Sequence, residues 1–409
     1  MKIEEIKRKL VIENPALTCL KNANSVLLLQ GPVGPFYDDL TCWLLKRNIH
    51  VNRVVFSGGD WRDCKKIKPI EFTSQNEEWA VFLKKQCHKL NVDVIVVFGQ
   101  SRHYHKVAIQ VANSLGIALV VFEEGYFRPG FITLELNGVN AKSSTLEQYE
   151  IVDNRSLLAA TASRNQFLKS IYFSVTHYIF IFLMDRKFPN YQHHRSRSLL
   201  FYSMYWAKAA FRKIISQGKD LEEQNKLIQN KKPYLFVPLQ FEGDAQIKLY
   251  SKFNSMNEFI EKIIKNFSEF GDANLLLVFK QHPHGIGGND AQGFIKNLTD
   301  TENLRNRVFY LNSGDTDLLV KNSKAVITVN STVGIKAIEF LKPLYALSPS
   351  VYFRDGIVFN GALDEFLNAI EDSSLVEKIK FQNFLRDLKN LTQVPGCFYS
   401  SSRNFPNWE

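Results

Sequence analysis

The sequence predicts an α/β protein of two Rossmann-like, doubly wound parallel-sheet domains facing a cleft. Three observations predict it. Short apolar runs such as Ser25-Val26-Leu27-Leu28-Leu29 and Leu275-Leu276-Leu277-Val278-Phe279 lack polar alternation, so they are strands covered on both faces. Helical stretches separate them at the spacing of strand–helix–strand crossovers. The pattern also starts twice, before and after a helical, basic middle segment.

In the first half, the strand at 25–29 runs into Gln30-Gly31-Pro32-Val33-Gly34-Pro35, and a helix follows to Lys46. A strand over 51–56 ends at Ser57-Gly58-Gly59-Asp60. After a helix over 79–90 comes a strand over 94–98, ending at Gly99-Gln100, then a helix over 106–115. The strand over 117–122 ends at Glu123-Glu124-Gly125. A polar linker is expected over 218–232. The second half opens with a strand over 233–239, ending at Gln240 and the loop to Gly243-Asp244, and a helix over 256–270. Its next strand stops on Lys280-Gln281-His282-Pro283, because proline cannot donate to a ladder and fixes the backbone beside the imidazole. A short strand over 308–311 precedes the one over 325–329, which ends in Asn330-Ser331-Thr332-Val333-Gly334. A helix over 333–341, a strand over 343–347 and a mostly helical stretch over 363–391 complete the chain. The expected divisions are 1–225 (with the basic segment 161–215), 226–360 and a helical tail over 361–409. Two such domains without a cofactor fingerprint follow the GT-B plan, which does not by itself fix an activity.

Composition narrows the class. The 409 residues are 45% hydrophobic and 22% charged, as in folded globular proteins. The first ten residues are too charged for a signal peptide. Five scattered cysteines without a Cys-x-x-Cys pair predict reduced thiols and a cytoplasmic protein, without a zinc site. Of the +10 net charge, residues 161–215 hold +8, from nine Lys/Arg against Asp185 alone. Thirteen aromatic residues are interleaved there, a mixture suited to an anionic bilayer surface or to core helices with a solvated basic face. The apolar run 171–184 has 14 residues, and spanning a membrane takes about 20.

Candidate chemistry lies at the expected strand ends, where open α/β sheets bind ligands. Glu123 and Glu124 are adjacent, so only one easily faces a cleft as a general base, and either also suits a turn. Asp244 is a nucleophile, a base or a turn residue. His282 can donate to a phosphate or play a structural part. Ser331 or Thr332 caps the next helix, a position that also binds anions. Gly31 and Gly34 either admit a ligand to the backbone or form a turn. No His/Asp/Glu cluster has metal-ligand spacing, and no metal or other cofactor is expected.

These same motifs, from Gln30-Gly31-Pro32-Val33-Gly34-Pro35 through Phe122-Glu123-Glu124-Gly125 to Lys280-Gln281-His282-Pro283 and Asn330-Ser331-Thr332, resemble the capsule polysaccharide KpsS/KpsC family over nearly the whole chain. The single transferase unit resembles the KpsS type. The resemblance implies a retaining β-Kdo transferase that uses CMP-β-Kdo and needs no metal. It further implies a phosphatidylglycerol-type lipid acceptor at the cytoplasmic face of the inner membrane, beside capsule assembly and export machinery, and no nucleic acid partner. Asp244 would be the nucleophile, Glu124 or Glu123 the base, and His282 with Ser331 and Thr332 the holders of the CMP phosphate. Pro283, Asn330 and Gln240 belong to the same donor-binding motifs, and Gly31 and Gly34 to the acceptor side. Lys280 or Arg128 would face the Kdo carboxylate. The acid-acid-Gly and His-Pro pairs are shared with bacterial sialyltransferases. The alternatives are therefore an inverting CMP-sialic-acid transferase and a non-catalytic export or scaffold subunit.

Overall fold

The computed structural model describes residues 8–151, 160, 166–193, 217–241, 247, 250–282 and 291–408. The chain forms two compact units, Met1–Ser196 with Arg386–Glu409, and Arg197–Leu385.

In the first unit, β1 (Lys9–Val11) and β8 (Tyr149–Ile151) pair as a small parallel ribbon. The main sheet contains β2 (Ser25–Leu28), β3 (His50–Val55), β4 (Ile70–Glu71), β5 (Val94–Phe98), β6 (Ala118–Glu124) and β7 (Phe131–Leu136). Its order is β4-β3-β2-β5-β6-β7, all parallel except for the antiparallel β7. The order reverses direction between β2 and β5, which makes their C-terminal ends the switch point. Six helices belong here: α1 (Pro15–Lys21), α2 (Phe36–Leu45), α3 (Gly58–Arg62), α4 (Trp79–Lys89), α5 (His103–Leu115) and the one-turn α6 (Thr145–Gln148). The lack of alternation in β2 has the expected cause. Val26 and Leu28 pack with Phe36 and Leu40 of α2, while Leu27 and Leu29 pack with Trp79 of α4 and Ala108 of α5. A seventh helix, α7 (Gln166–Leu183), crosses the strand ends.

The second unit holds β9 (Tyr234–Pro238), β10 (Leu276–Lys280), β11 (Val308–Leu311), β12 (Ala325–Thr328) and β13 (Leu344–Ala346). They are all parallel in the order β11-β10-β9-β12-β13, so the switch point lies between β9 and β12. Around them lie α8 (Met256–Phe270), α9 (Ala291–Thr301), α10 (Thr316–Asn322), α11 (Val333–Glu339) and α12 (Leu363–Ala369), while α13 (Lys378–Thr392) starts in this unit and belongs to the first from Arg386 on. Phe259, Ile260, Ile263 and Phe267 of α8 bury one helical face against Leu235, Val237 and Leu277.

Three expectations need correction. The expected polar linker is helical over 217–229, because Asp220 and Gln224 are buried there with hydrogen-bond partners in the β11 loop. The strand expected to end at Phe122 runs on through Glu124, since β7 pairs Thr133 with Glu123 and Ile132 with Glu124. The helical tail expected over 361–409 divides: α12 lies in the second unit, but β14 (Gln393–Pro395) joins β7 antiparallel in the first. Beyond β14, Phe398, Phe405 and Trp408 pack edge-on or tilted against Phe36 and Trp43, and Trp408 Nε1 donates to the Pro395 carbonyl at 2.8 Å. That apolar anchoring draws the last residues back to the first sheet.

Candidate active site

Each unit carries polar side chains at its own switch point. In the second, Gln240 follows β9 and Asn330 follows β12, both buried. Gln240 Nε2 donates to Asn330 Oδ1 at 2.9 Å, and the Asn330 backbone N–H donates to Gln240 Oε1 at 3.1 Å. This two-way amide pair ties the strand ends on either side of the crevice. Ser331 comes next. Its hydroxyl accepts from the Val333 N–H at 3.2 Å, which leaves the hydroxyl proton to donate to a ligand. Thr332 takes a helical conformation, and its side chain caps nothing. Of the two hydroxyls in the expected capping role, Ser331 fills it.

One residue that sequence reasoning passed over holds Ser331 in place. Tyr352 donates its hydroxyl to the Ser331 carbonyl at 2.5 Å, and its ring lies where a Cβ on Gly334 would fall, 2.4 Å from Cζ. A side chain at Gly334 would therefore push the tyrosine off. On β10, Lys280 is buried and Gln281 donates its N–H to the Leu311 carbonyl at 2.8 Å, so the ladder holds the backbone up to the half-buried His282. The neighbouring β11 loop is clamped from helix 217–229. Asp220 Oδ2 accepts from both the N–H and the hydroxyl of Ser313 at 3.0 Å, and Gln224 Oε1 accepts from Asp315 N–H at 2.8 Å. Asp244 and Pro283 lie outside the described residues.

In the first unit, the two acids end β6. Glu123 is half-buried and Glu124 exposed, as strand alternation requires. Glu123 leans towards the end of β5, where a Cβ on Gly99 would come within 3.2 Å of Glu123 Oε2. Although Glu124 keeps solvent access, the protein packed around its carboxyl raises its pKa above the ordinary 4.5, and the Arg128 guanidinium pulls it partly back. Gly125 permits a close backbone approach, because its Cβ would fall 2.2 Å from the Phe131 carbonyl oxygen. The turn is braced from the far end of the chain: Gln393 Oε1 accepts from Tyr126 N–H at 2.9 Å, and Gln393 Nε2 donates to Thr133 Oγ1 at 3.0 Å. Thr133 in turn donates to the Glu124 carbonyl at 3.0 Å.

At this unit's switch point, buried Asp60 accepts from Gln30 Nε2 at 3.1 Å and from the Ser57 hydroxyl at 2.9 Å. Gln30 also donates to the Tyr191 hydroxyl at 2.9 Å. Fully buried His105 faces the Gly99 carbonyl at 2.6 Å through Nδ1. Burial, reinforced by Arg102, lowers its pKa to about 3, so the ring is neutral and Nδ1 is the donor.

Gly31 and Gly34, read in the sequence as room for a ligand or as a turn, and the Gly58-Gly59 pair at the end of β3 have side chains packed against them. A Cβ on Gly31 would strike the Tyr37 ring at 2.6 Å, and one on Gly34 would strike Phe173 of α7 at 2.8 Å. On Gly59 it would meet the His177 ring at 2.5 Å, and on Gly58 the Phe180 backbone oxygen at 2.1 Å. Three of these four glycines therefore make the seat of α7. A buried carboxylate fastens it: Asp63 Oδ2 accepts from His177 Nδ1 at 3.0 Å and from Gly34 N–H at 3.1 Å, and Asp63 Oδ1 from Arg62 Nη1 at 2.6 Å. Burial alone would raise the Asp63 pKa, but the donors outweigh it and hold it below the usual carboxylate value.

Comparison with known proteins adds to this geometry. The capsule polysaccharide biosynthesis protein family matches residues 93–399. The chain is 32% identical over 395 residues to the capsule polysaccharide export protein KpsS of Escherichia coli, covering 95% of this chain and 100% of that one. It is 29% identical to the capsule polysaccharide modification protein LipB of Neisseria meningitidis serogroup B, over 98% of this chain and 97% of that one. Among solved structures, it is similar to Thermosulfurimonas dismutans KpsC, a beta Kdo 2,7 transferase, at 12% identity and a TM-score of 0.42 over 89% of each chain.

Proposed function

The chain belongs to the capsule polysaccharide biosynthesis family, and from that premise we propose that it is a retaining β-Kdo transferase. In this reading it moves Kdo from CMP-β-Kdo to a phosphatidylglycerol-type lipid and starts the linker of a capsular polysaccharide. The lipid acceptor puts the work at the cytoplasmic face of the inner membrane, beside capsule assembly machinery. Among the described residues, no helix is long and apolar enough to cross a membrane.

The observation that carries the proposal is the second unit's switch point. The Gln240–Asn330 amide pair fixes two strand ends, Ser331 keeps a hydroxyl proton for an incoming anion, and His282 follows the adjacent strand. Donors fixed in advance around a phosphate stabilise the charge that develops as CMP departs.

Retention needs two displacements. Asp244 attacks the anomeric carbon of Kdo as the bond to the CMP phosphate breaks, and the bonding pair leaves on the phosphate oxygen, next to His282 and Ser331. Glu124 then takes the proton of the acceptor hydroxyl, whose oxygen displaces Asp244 and restores the original configuration. The raised pKa suits Glu124 to this task, since a stronger carboxylate base accepts the proton more readily. Lys280 or Arg128 offers a cation to the Kdo carboxylate.

Intact-protein mass spectrometry tests the proposal. Incubation with CMP-β-Kdo and no acceptor should give a Kdo-sized adduct and free CMP, neither of which Asp244→Ala forms. Turnover of CMP-sialic acid without an adduct would select the inverting transferase. Failure to release CMP from any donor would select the export or scaffold subunit.

A further inference from the structure

Helix α7 is apolar nearly all round, yet among the described residues only one side of it rests on protein. The inner side carries Phe173, His177, Phe180 and Met184 against Gly34, Gly58, Gly59 and Asp63. At 100° per residue, the outer side collects Phe167, Ile171, Tyr172, Val175, Ile179 and Phe182, all of them exposed, with Phe167 at 72% and Phe182 at 73%. This stripe is about 24 Å long. A contiguous exposed apolar strip of that extent marks an interaction surface. We propose that α7 lies in the plane of an anionic lipid surface and is the element that seats the protein on it.

Charge selects the occupant. Arg186 lies at the far end of the strip, Lys169 near its start donates to Ser400 Oγ at 2.7 Å, Lys187 is ion-paired with Glu71, and the 161–215 segment as a whole holds nine Lys/Arg against Asp185 alone. A second copy would bring one +10 chain against another. An anionic bilayer accepts the apolar side chains and the cations together. The consequence for function rests on the lipid-acceptor reading above. Because the inner side of α7 closes on the loops after β2 and β3, contact on its outer side puts the membrane surface one helix diameter, about 10 Å, from Gly34 and Gly59. A lipid headgroup then needs to rise only a short way to reach the first unit's switch point.

The test is flotation of the full chain with vesicles of mixed phosphatidylglycerol and phosphatidylcholine, and with phosphatidylcholine alone. The wild type should float with the anionic vesicles. The pair Phe167→Ser and Phe182→Ser should weaken this about tenfold or more, including at high salt, where the charge contribution is screened. Both changes are on the exposed side, so an unchanged melting temperature confirms the fold, and transfer to a soluble glycerophosphate acceptor should persist. Equal flotation of variant and wild type would overturn the proposal. So would a wild type that ignores vesicles and sediments as a dimer that the variant breaks. Vesicle binding that depends on α7, with no Kdo transfer to any acceptor, would sink the transferase reading and leave this one standing.

Discussion

Replacing Asp63 with alanine strikes the fastening of α7 without touching its outer face. The carboxylate is buried and receives three donors, from His177, Gly34 and Arg62. Its removal leaves the Gly34 N–H unpaired and the half-shielded Arg62 without its counter-charge. Breaking a buried ionic cluster from one side costs about 3–5 kcal/mol. In a unit of this size that should lower the melting temperature by about 6–20 °C. Differential scanning calorimetry should show the loss in the first unit's transition, with the second unit's unmoved. Hydrogen exchange should locate it, with Gln166–Leu183 and the Gly34 loop losing protection together. The pH dependence has a definite sign. A carboxylate held below its ordinary 3.8 stabilises the fold above that value and loses its contribution as pH falls through the folded value. The cost of Asp63→Ala should therefore be full at neutral pH and shrink in acid. A shift below about 2 °C at neutral pH, or one independent of pH, would refute the reasoning.

Three further expectations concern the strand ends. Glu124 works as a base only when ionised, so the acid limb of kcat/KM should lie above the ordinary glutamate value of 4.5; Arg128→Ala, which removes the charge favouring ionisation, should move that limb higher, and a downward shift would contradict the assignment. His105 falls from 6.5 unfolded to about 3 folded, so the first unit should lose about 2 kcal/mol between pH 6.5 and about 5, and His105→Gln should flatten that slope in urea titrations. Gln240→Ala removes two hydrogen bonds across the second switch point, which should cost about 1–3 kcal/mol and weaken CMP binding by isothermal titration, while an unchanged affinity would move the nucleotide elsewhere.

The parallel strands of both sheets were legible because a strand covered on two faces leaves an unbroken apolar run, as in β2 and β10, whereas the antiparallel β7 was not. Helix α8 matched its expected limits, since Ser255 caps it with a bond to Glu258 N–H and Gly271 closes it. The strands at the margins were not legible. Ile70–Glu71 is two residues long, and Gln393–Pro395 contains a proline and pairs with a partner some 260 residues away, so neither has a local period. The acids, His282 and Ser331 stood out because they follow recognisable strands. Gly34 was visible but ambiguous, because an absent side chain looks the same whether a ligand or a helix approaches, and Gly58 and Gly59 stood out only as the end of a strand. Asp63, His177, Tyr352 and Gln224 act through contacts distant in sequence, and nothing near them in the chain advertises those contacts. Gln224 sat in a stretch whose polarity suggested a solvated linker, when its amide is in fact spent inside, on the Asp315 N–H.

Kdo transfer to lipid is read from the lipid product. The purified full chain, given CMP-β-Kdo and phosphatidylglycerol vesicles, should convert the lipid to a species heavier by one Kdo residue. NMR of that species should show the β configuration retained. An α-linked product, transfer from CMP-sialic acid in preference to CMP-β-Kdo, or unaltered lipid in the presence of intact, vesicle-bound protein would contradict the account.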